Sequence, residues 1–246
     1  MGLKIYNLYL KEIMGFHVIL KHNSNEIKYA YAQDEIELAK LPISIDSIIY
    51  QGEERWRPML VKDSSQYKRF SKPSYRVGIL AQELFKKQAL KKEYILEELN
   101  QDQESMKAYT NATKEYIPIK RGDFLLRNAG NYEIDVKCRF FIENKKGQTC
   151  FEFNVDHLER HLNMWKKFTK TPVIIAVYDR DKINNSPREE SLHMIDVEHM
   201  KNIVKKHNLK KMPRKNNGER YQVYQIPVDE TMKEFDLISY LFKKKK

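Results

Sequence analysis

Cysteine is nearly absent from this 246-residue chain, which holds Cys138 and Cys150 and no others. Two thiols build no disulfide framework, and a reducing cytoplasm is the expected compartment. Long apolar runs are missing as well. The longest clear candidate, PVIIAVY at 172–178, falls far short of the roughly 18 residues that a membrane helix needs. The opening MGLKIYNLYLKE has neither the basic start nor the long apolar centre of a secretory signal. Tyr6 stands where an N-myristoylation signal has Ser or Thr. There is no G-x-x-x-x-G-K-[ST] loop and no G-x-S-x-G, so neither ATP hydrolysis nor serine-hydrolase chemistry is supported. No internal repeat occurs.

Positive charge is what the chain has in excess. Lys and Arg number 45 against 34 acidic residues, a net charge of +11, with a pI near 9.3. Such a surplus suits a polyanionic partner, of which nucleic acid is the commonest, although a Lys-rich surface also serves solubility. The chain is 41% hydrophobic, enough to bury one core plus a small appendage.

Residues 1–72 read as β-rich. FHVILKHNSNEIKYAYA is two strand-like runs about an Asn-Ser-Asn turn, and ISIDSIIYQGEERWRPMLV offers two more short strands. KDSSQYKRFSKPS is polar and basic, a linker. A helix is expected from Ser74 as N-cap, with Val77, Leu80, Ala81 and Leu84 along one face. YILEEL fits helix or strand. Strand, turn and strand follow in DFLLRNAGNYEIDVKCRFFI, then a strand in GQTCFEFNV and a helix, DHLERHLNMWKKF, capped by Asp156. TPVIIAVYDRD is a buried strand, with further strands and helices behind it. This order predicts an α/β fold, a mixed β-sheet flanked by helices over 73–246, with a small β-rich N-terminal region that recognises nucleic acid or a partner.

The chemistry gathers at one hairpin. In RNAGN, Gly130 stands where a three-residue loop of Asn128, Ala129 and Gly130 wants its left-handed residue. That loop pairs Arg127 with Asn131 and sets Asp123 opposite Asp135, with Cβ atoms about 4.5–5.5 Å apart. Two carboxylates so placed repel unless a cation or proton lies between them, so removing one is expected to relieve repulsion. Glu133, Asp135 and Lys137 share one strand face, since strand side chains alternate. Carboxylate, carboxylate and lysine about a Mg²⁺ ion make a kit for phosphodiester hydrolysis. A solvated sheet face pairing Glu133 with Lys137 is the plainer alternative.

Asp123, an eleven-residue gap and Asp135-Val136-Lys137 resemble the PD-(D/E)xK nuclease superfamily, whose restriction-endonuclease-like core runs helix, three antiparallel-connected strands, helix, strand. The resemblance covers residues 74–180. It implies that Asp123 and Asp135 hold Mg²⁺ (Mn²⁺ as an alternative), that the Val136 carbonyl adds a ligand, and that Lys137 is the catalytic lysine. The expected activity is that of a nuclease, with DNA a more expected substrate than RNA and with endonuclease and exonuclease action, and restriction, phage defence and repair, left unseparated by the sequence. Gly122 departs from the family's proline. Members often add a glutamate from the first core helix, for which Glu83 is the candidate, although it lies about 120° or more from the apolar stripe. The alternative is a non-catalytic nucleic-acid-binding or assembly protein that retains the fold. A homo-oligomer or a protein partner stays open.

Two other constellations stand out. Cys138, Cys150, His157 and His161 suggest zinc, but an eleven-residue cysteine spacing fits no common zinc module. For nucleic-acid contact, Arg55, Trp56, Arg57, Lys68 and Arg69 mix cations with aromatics, while Arg160 and Lys167 offer charge along the helix after the catalytic strands.

Overall fold

The structure is a computed structural model; it describes residues 16–21, 27–32, 35–41, 48–51, 59–60, 73–99, 117–216 and 219–244. The chain divides into two compact units, Met1–Leu80 and Ala81–Lys246. In the first, β1 (Phe16–Lys21) and β2 (Ile27–Ala32) form the expected hairpin, with Phe16 opposite Ala32 and Lys21 opposite Ile27. β3 (Ile48–Gln51) and β4 (Met59–Leu60) complete an antiparallel sheet of order β2-β1-β3-β4. A short helix, α1 (Glu35–Lys40), buries Leu38 and Ala39; six residues are too few to show a helical period.

Helix α2 (Pro73–Lys91) crosses the division between the units. It starts at Pro73, so Ser74 lies inside the first turn rather than capping it; proline's fixed φ and missing N–H suit the first helical position. The second unit then runs β5 (Leu96–Glu98), β6 (Phe124–Leu126), β7 (Tyr132–Arg139), β8 (Phe141–Glu143), β9 (Thr149–Asn154) and α3 (Val155–Asn163). Helix α3 continues as a π-helical stretch, Met164–Thr169. After it come β10 (Val173–Asp179), β11 (His193–Asp196), α4 (Val197–Lys206), β12 (Met212–Asn216), β13 (Glu219–Pro227), β14 (Met232–Lys233) and α5 (Asp236–Lys244). No described helix is long and apolar enough to cross a membrane.

These strands make two sheets. The larger has order β14-β11-β10-β7-β6-β5, with β7 and β10 parallel and every other pair antiparallel. The smaller is antiparallel, β12-β13-β9-β8. The expected order of helix, three antiparallel-connected strands, helix and strand is met with different members. YILEEL supplies the first strand of the meander β5-β6-β7, and GQTCFEFNV pairs into the second sheet instead.

Strand β7 is central and covered on both faces. In register with β10, Glu133 lies beside Val173, Asp135 beside Ile175 and Lys137 beside Val177. Those three β10 residues belong to a core with Phe151 and Phe153 of β9, Leu158 of α3 and Met200 of α4. The opposite face carries Phe124 and Ile134, directly paired. There the Phe85 ring of α2 stacks on Phe124, centroids 6.0 Å apart, and Tyr178 donates to Gln88 Oε1 at 2.7 Å. Helix α3 is capped by Asn154, whose Oδ1 accepts from the N–H groups of Asp156 and His157. Asp156 falls in the first turn, where its charge suits the helix dipole, and is not the cap.

Candidate active site

The hairpin register is the expected one: Phe124 faces Ile134 and Leu126 faces Tyr132. Its loop is longer, with the last pair at Leu126–Tyr132 and positive φ at both Gly130 (106°) and Asn131 (55°). Opening one residue on each side of a three-residue loop keeps the register. Asp123 sits one step before the Phe124–Ile134 pair, at the end of the ladder away from the loop. Its N–H donates to the Ile134 carbonyl at 2.7 Å, and its Oδ2 accepts the Val136 N–H at 2.6 Å. Asp123 is thereby fixed at the backbone of the strand that carries Asp135.

Asp135 is completely buried. Its Oδ1 accepts from Lys120 Nζ at 2.7 Å. Lys137 Nζ lies 2.6 Å from Oδ2, and His161 Nε2 stands 3.4 Å from the same oxygen. Burial pushes the Asp135 carboxyl up, but the Lys120 and Lys137 ammoniums, with His161, hold it well below the usual carboxylate range. Asp123 is raised, by burial first and by the Asp135 charge, against the pull of Lys137. Burial takes Lys120 down to about 8 even though Asp135 favours its charge. Two acids and two lysines therefore balance one another in a water-poor pocket of the fold.

Lys120 is the residue that sequence reasoning missed. It precedes β6 in the irregular segment 117–122, where no periodicity assigns a side chain to a face. Glu133 differs from expectation too. It is buried and, instead of pairing with Lys137, accepts from Arg121 Nη2 at 3.1 Å and from the Gly122 N–H at 2.9 Å. This contact accounts for Gly122 in place of proline. A Cβ there would sit 2.8 Å from the Ile134 carbonyl oxygen, and proline has no N–H to give Glu133.

The structure brings Asp123, Asp135 and Lys137 together, along with the Val136 carbonyl, which accepts from Lys137 Nζ at 3.1 Å. It does not bring Glu83 to them. Glu83 is on α2, the helix that covers the face opposite Asp135, and its carboxylate pairs with Lys86 and Lys87 of its own helix at 3.8 and 3.5 Å. Arg55, Trp56, Arg57, Lys68 and Arg69 lie outside the described residues. Arg160 is engaged by Asp156 at 2.7 Å, while Lys167 is exposed on the π-helical stretch.

The zinc set does not assemble. Cys138 and Cys150 are buried free thiols on strands of different sheets, and burial raises Cys138 to about 12. Among the described residues no three His, Cys, Asp or Glu side chains form a ready metal cage. The donors at Asp123, Asp135 and Val136 nonetheless fit a hard divalent cation, which commonly takes one or two carboxylates and leaves its other positions to water and phosphate. Asp135 Oδ2, buried and met by Lys137 Nζ at 2.6 Å, is the acceptor such an ion would use in place of the ammonium.

No family model matches this chain, and no curated protein matches it. Among solved structures, a nuclease from a fusselovirus covers 78% of this chain and 99% of its own at 13% identity and a TM-score of 0.36. At that score the likeness carries no assignment, and the function rests on the geometry above.

Proposed function

We propose that this chain is a metal-dependent nuclease that hydrolyses phosphodiester bonds, with DNA rather than RNA as its substrate. One observation carries the reading: a completely buried carboxylate, Asp135, with Asp123 held at the next strand and Lys137 in ion-pair contact. Carboxylates are almost never fully buried unless paired, and replacing such a cluster by apolar side chains often stabilises a fold. Its presence on a central strand therefore favours chemistry over scaffolding, and the net charge of +11 suits a polyanionic substrate.

Asp123, Asp135 and the Val136 carbonyl would hold Mg²⁺, or Mn²⁺ in its place. Bound there, the cation would supply Lewis-acid polarisation of the scissile phosphate. The chain's own groups do the remainder. Lys137 offers a positive charge to the phosphoryl oxygens as negative charge develops on them, and the buried setting strengthens that interaction. Lys120 holds the other oxygen of Asp135, keeping the carboxylate ionised and oriented. Supercoiled and linear DNA incubated with Mg²⁺ or with EDTA test the reading. Wild type should nick plasmid only with the metal, and Lys137→Ala should abolish nicking while leaving DNA affinity largely intact, because the lysine acts in the transition state. Nicking that survives in Lys137→Ala would place the reaction elsewhere.

A further inference from the structure

Glu133, Asp135 and His161 are the buried polar side chains among the described residues. Glu133 is satisfied by Arg121 and Gly122. His161 is not: it is 0% exposed, yet neither Nδ1 nor Nε2 has a hydrogen-bond partner. Its Nε2 lies 3.4 Å from Asp135 Oδ2, the oxygen that Lys137 Nζ meets at 2.6 Å. Buried polar atoms are nearly always hydrogen-bonded, so a buried imidazole with neither nitrogen bonded needs a cause. We infer that His161 Nε2 and Asp135 Oδ2 are two ligands of one divalent transition-metal ion, so that the site selects Mn²⁺ over Mg²⁺.

The separation fits. Two ligands each about 2.1 Å from one ion stand roughly 3.0–3.4 Å apart between right-angled and tetrahedral geometry. As a direct hydrogen bond the same 3.4 Å is long. His161 follows Val155 and Leu158 on the buried face of α3, which fixes its ring at the site. Imidazole suits transition metals, whereas Mg²⁺ prefers oxygen donors and dehydrates reluctantly. Lys137, 2.6 Å from the same Oδ2, is the competitor that a metal must displace.

This inference rests on the reading that Asp135 holds a metal, and metal binding can be measured without cleavage. Calorimetric titration of the metal-free full chain with MnCl₂ and with MgCl₂ should show Mn²⁺ binding about tenfold or more tighter. His161→Gln should remove that preference while Mg²⁺ affinity changes by no more than about twofold. Pulsed EPR of Mn²⁺ bound to wild type should show nitrogen hyperfine coupling, a readout independent of whether the variant folds. A wild-type spectrum without nitrogen coupling, or a Mn²⁺ preference unchanged in His161→Gln, would overturn the inference and leave the nuclease reading intact. Wild type that binds neither ion would remove both.

Discussion

Replacing Asp135 by Asn keeps the shape of the side chain and removes its charge. From the hairpin alone, taking away one of two adjacent acids should relieve repulsion and stabilise the fold. The structure reverses the sign, because Lys120 and Lys137 both contact Asp135 and lose their counter-ion together. Breaking a buried ion pair by removing one partner costs about 3–5 kcal/mol. The lysines can limit the loss by shedding a proton. For an ordinary lysine at pH 7 this costs about 4.6 kcal/mol, 3.4 units at about 1.36 each. Lys120, already down to about 8, sheds its proton for only about 1 kcal/mol. The destabilisation should therefore lie between about 1 kcal/mol, if Lys120 alone responds, and about 5, with about 3 expected.

Urea unfolding of the two proteins at pH 7 and pH 9 measures this. The sign with pH follows from Lys120, whose folded pKa lies below its unfolded value, so its burial penalty fades as pH rises from about 8 toward 10.4. At pH 9 it is largely neutral in both proteins, and the deficit of Asp135→Asn should shrink by about 1 kcal/mol. Asp123→Asn should cost less, since burial already raises that carboxyl and its Oδ2 accepts a backbone N–H. An Asp135→Asn protein as stable as wild type, or more stable, would refute the view that the two lysines depend on this carboxylate.

Phe85→Ala should destabilise by about 3–5 kcal/mol in the same assay, because the ring is completely buried between Phe124 and Phe235. Gly122→Ala should cost about 1–3 kcal/mol, since its Cβ would press on the Ile134 backbone, which cannot rotate away. His157 is lowered to about 3, by burial first and then by Lys120 and Lys137. Stability linked to it is thus complete above about 6.5 and is lost as pH falls toward 3, and His157→Gln should flatten the acid limb of a stability–pH profile. Duplex binding should weaken steeply with salt in a fluorescence-anisotropy titration, as neutralised phosphates release counter-ions; an affinity indifferent to salt would remove the polyanion argument.

The hairpin was legible because its evidence is local. Alternating side chains and a glycine at the turn set the register, and adding one loop residue on each side did not disturb it. Strand β12, MPRKN, was not legible: it has no apolar alternation and contains Pro213, which an edge strand tolerates. The cap of α3 was misplaced by two residues because Asn154 and Asp156 are both good caps, and only backbone geometry chooses between them. His161 had a signal that went unused. Its spacing of three from Leu158 and six from Val155 puts a histidine on an apolar helical face, whereas its spacing of four from His157 pointed to zinc.

The harder question concerned β7 itself, where Glu133, Asp135 and Lys137 alternate with Ile134 and Val136. That pattern is what a half-solvated strand shows, and nothing within the strand itself distinguishes the two cases. The distinction lies 40 residues away, in the continuous apolar run Val173–Tyr178. Such a run belongs to a strand buried on both faces, and its parallel pairing with β7 places Ile175 beside Asp135 under a helix. Once β7 is interior, its charges cannot be a solvated face, and each requires a partner. Arg121 and Gly122 serve Glu133, Lys120 and Lys137 serve Asp135, and the segment 120–122 contributes to both. The three residues preceding Asp123 therefore do as much to build this site as the motif that follows it. Lys120→Met accordingly tests the site from outside the motif. It should weaken the fold less than Asp135→Asn, because Lys137 still pairs with the carboxylate.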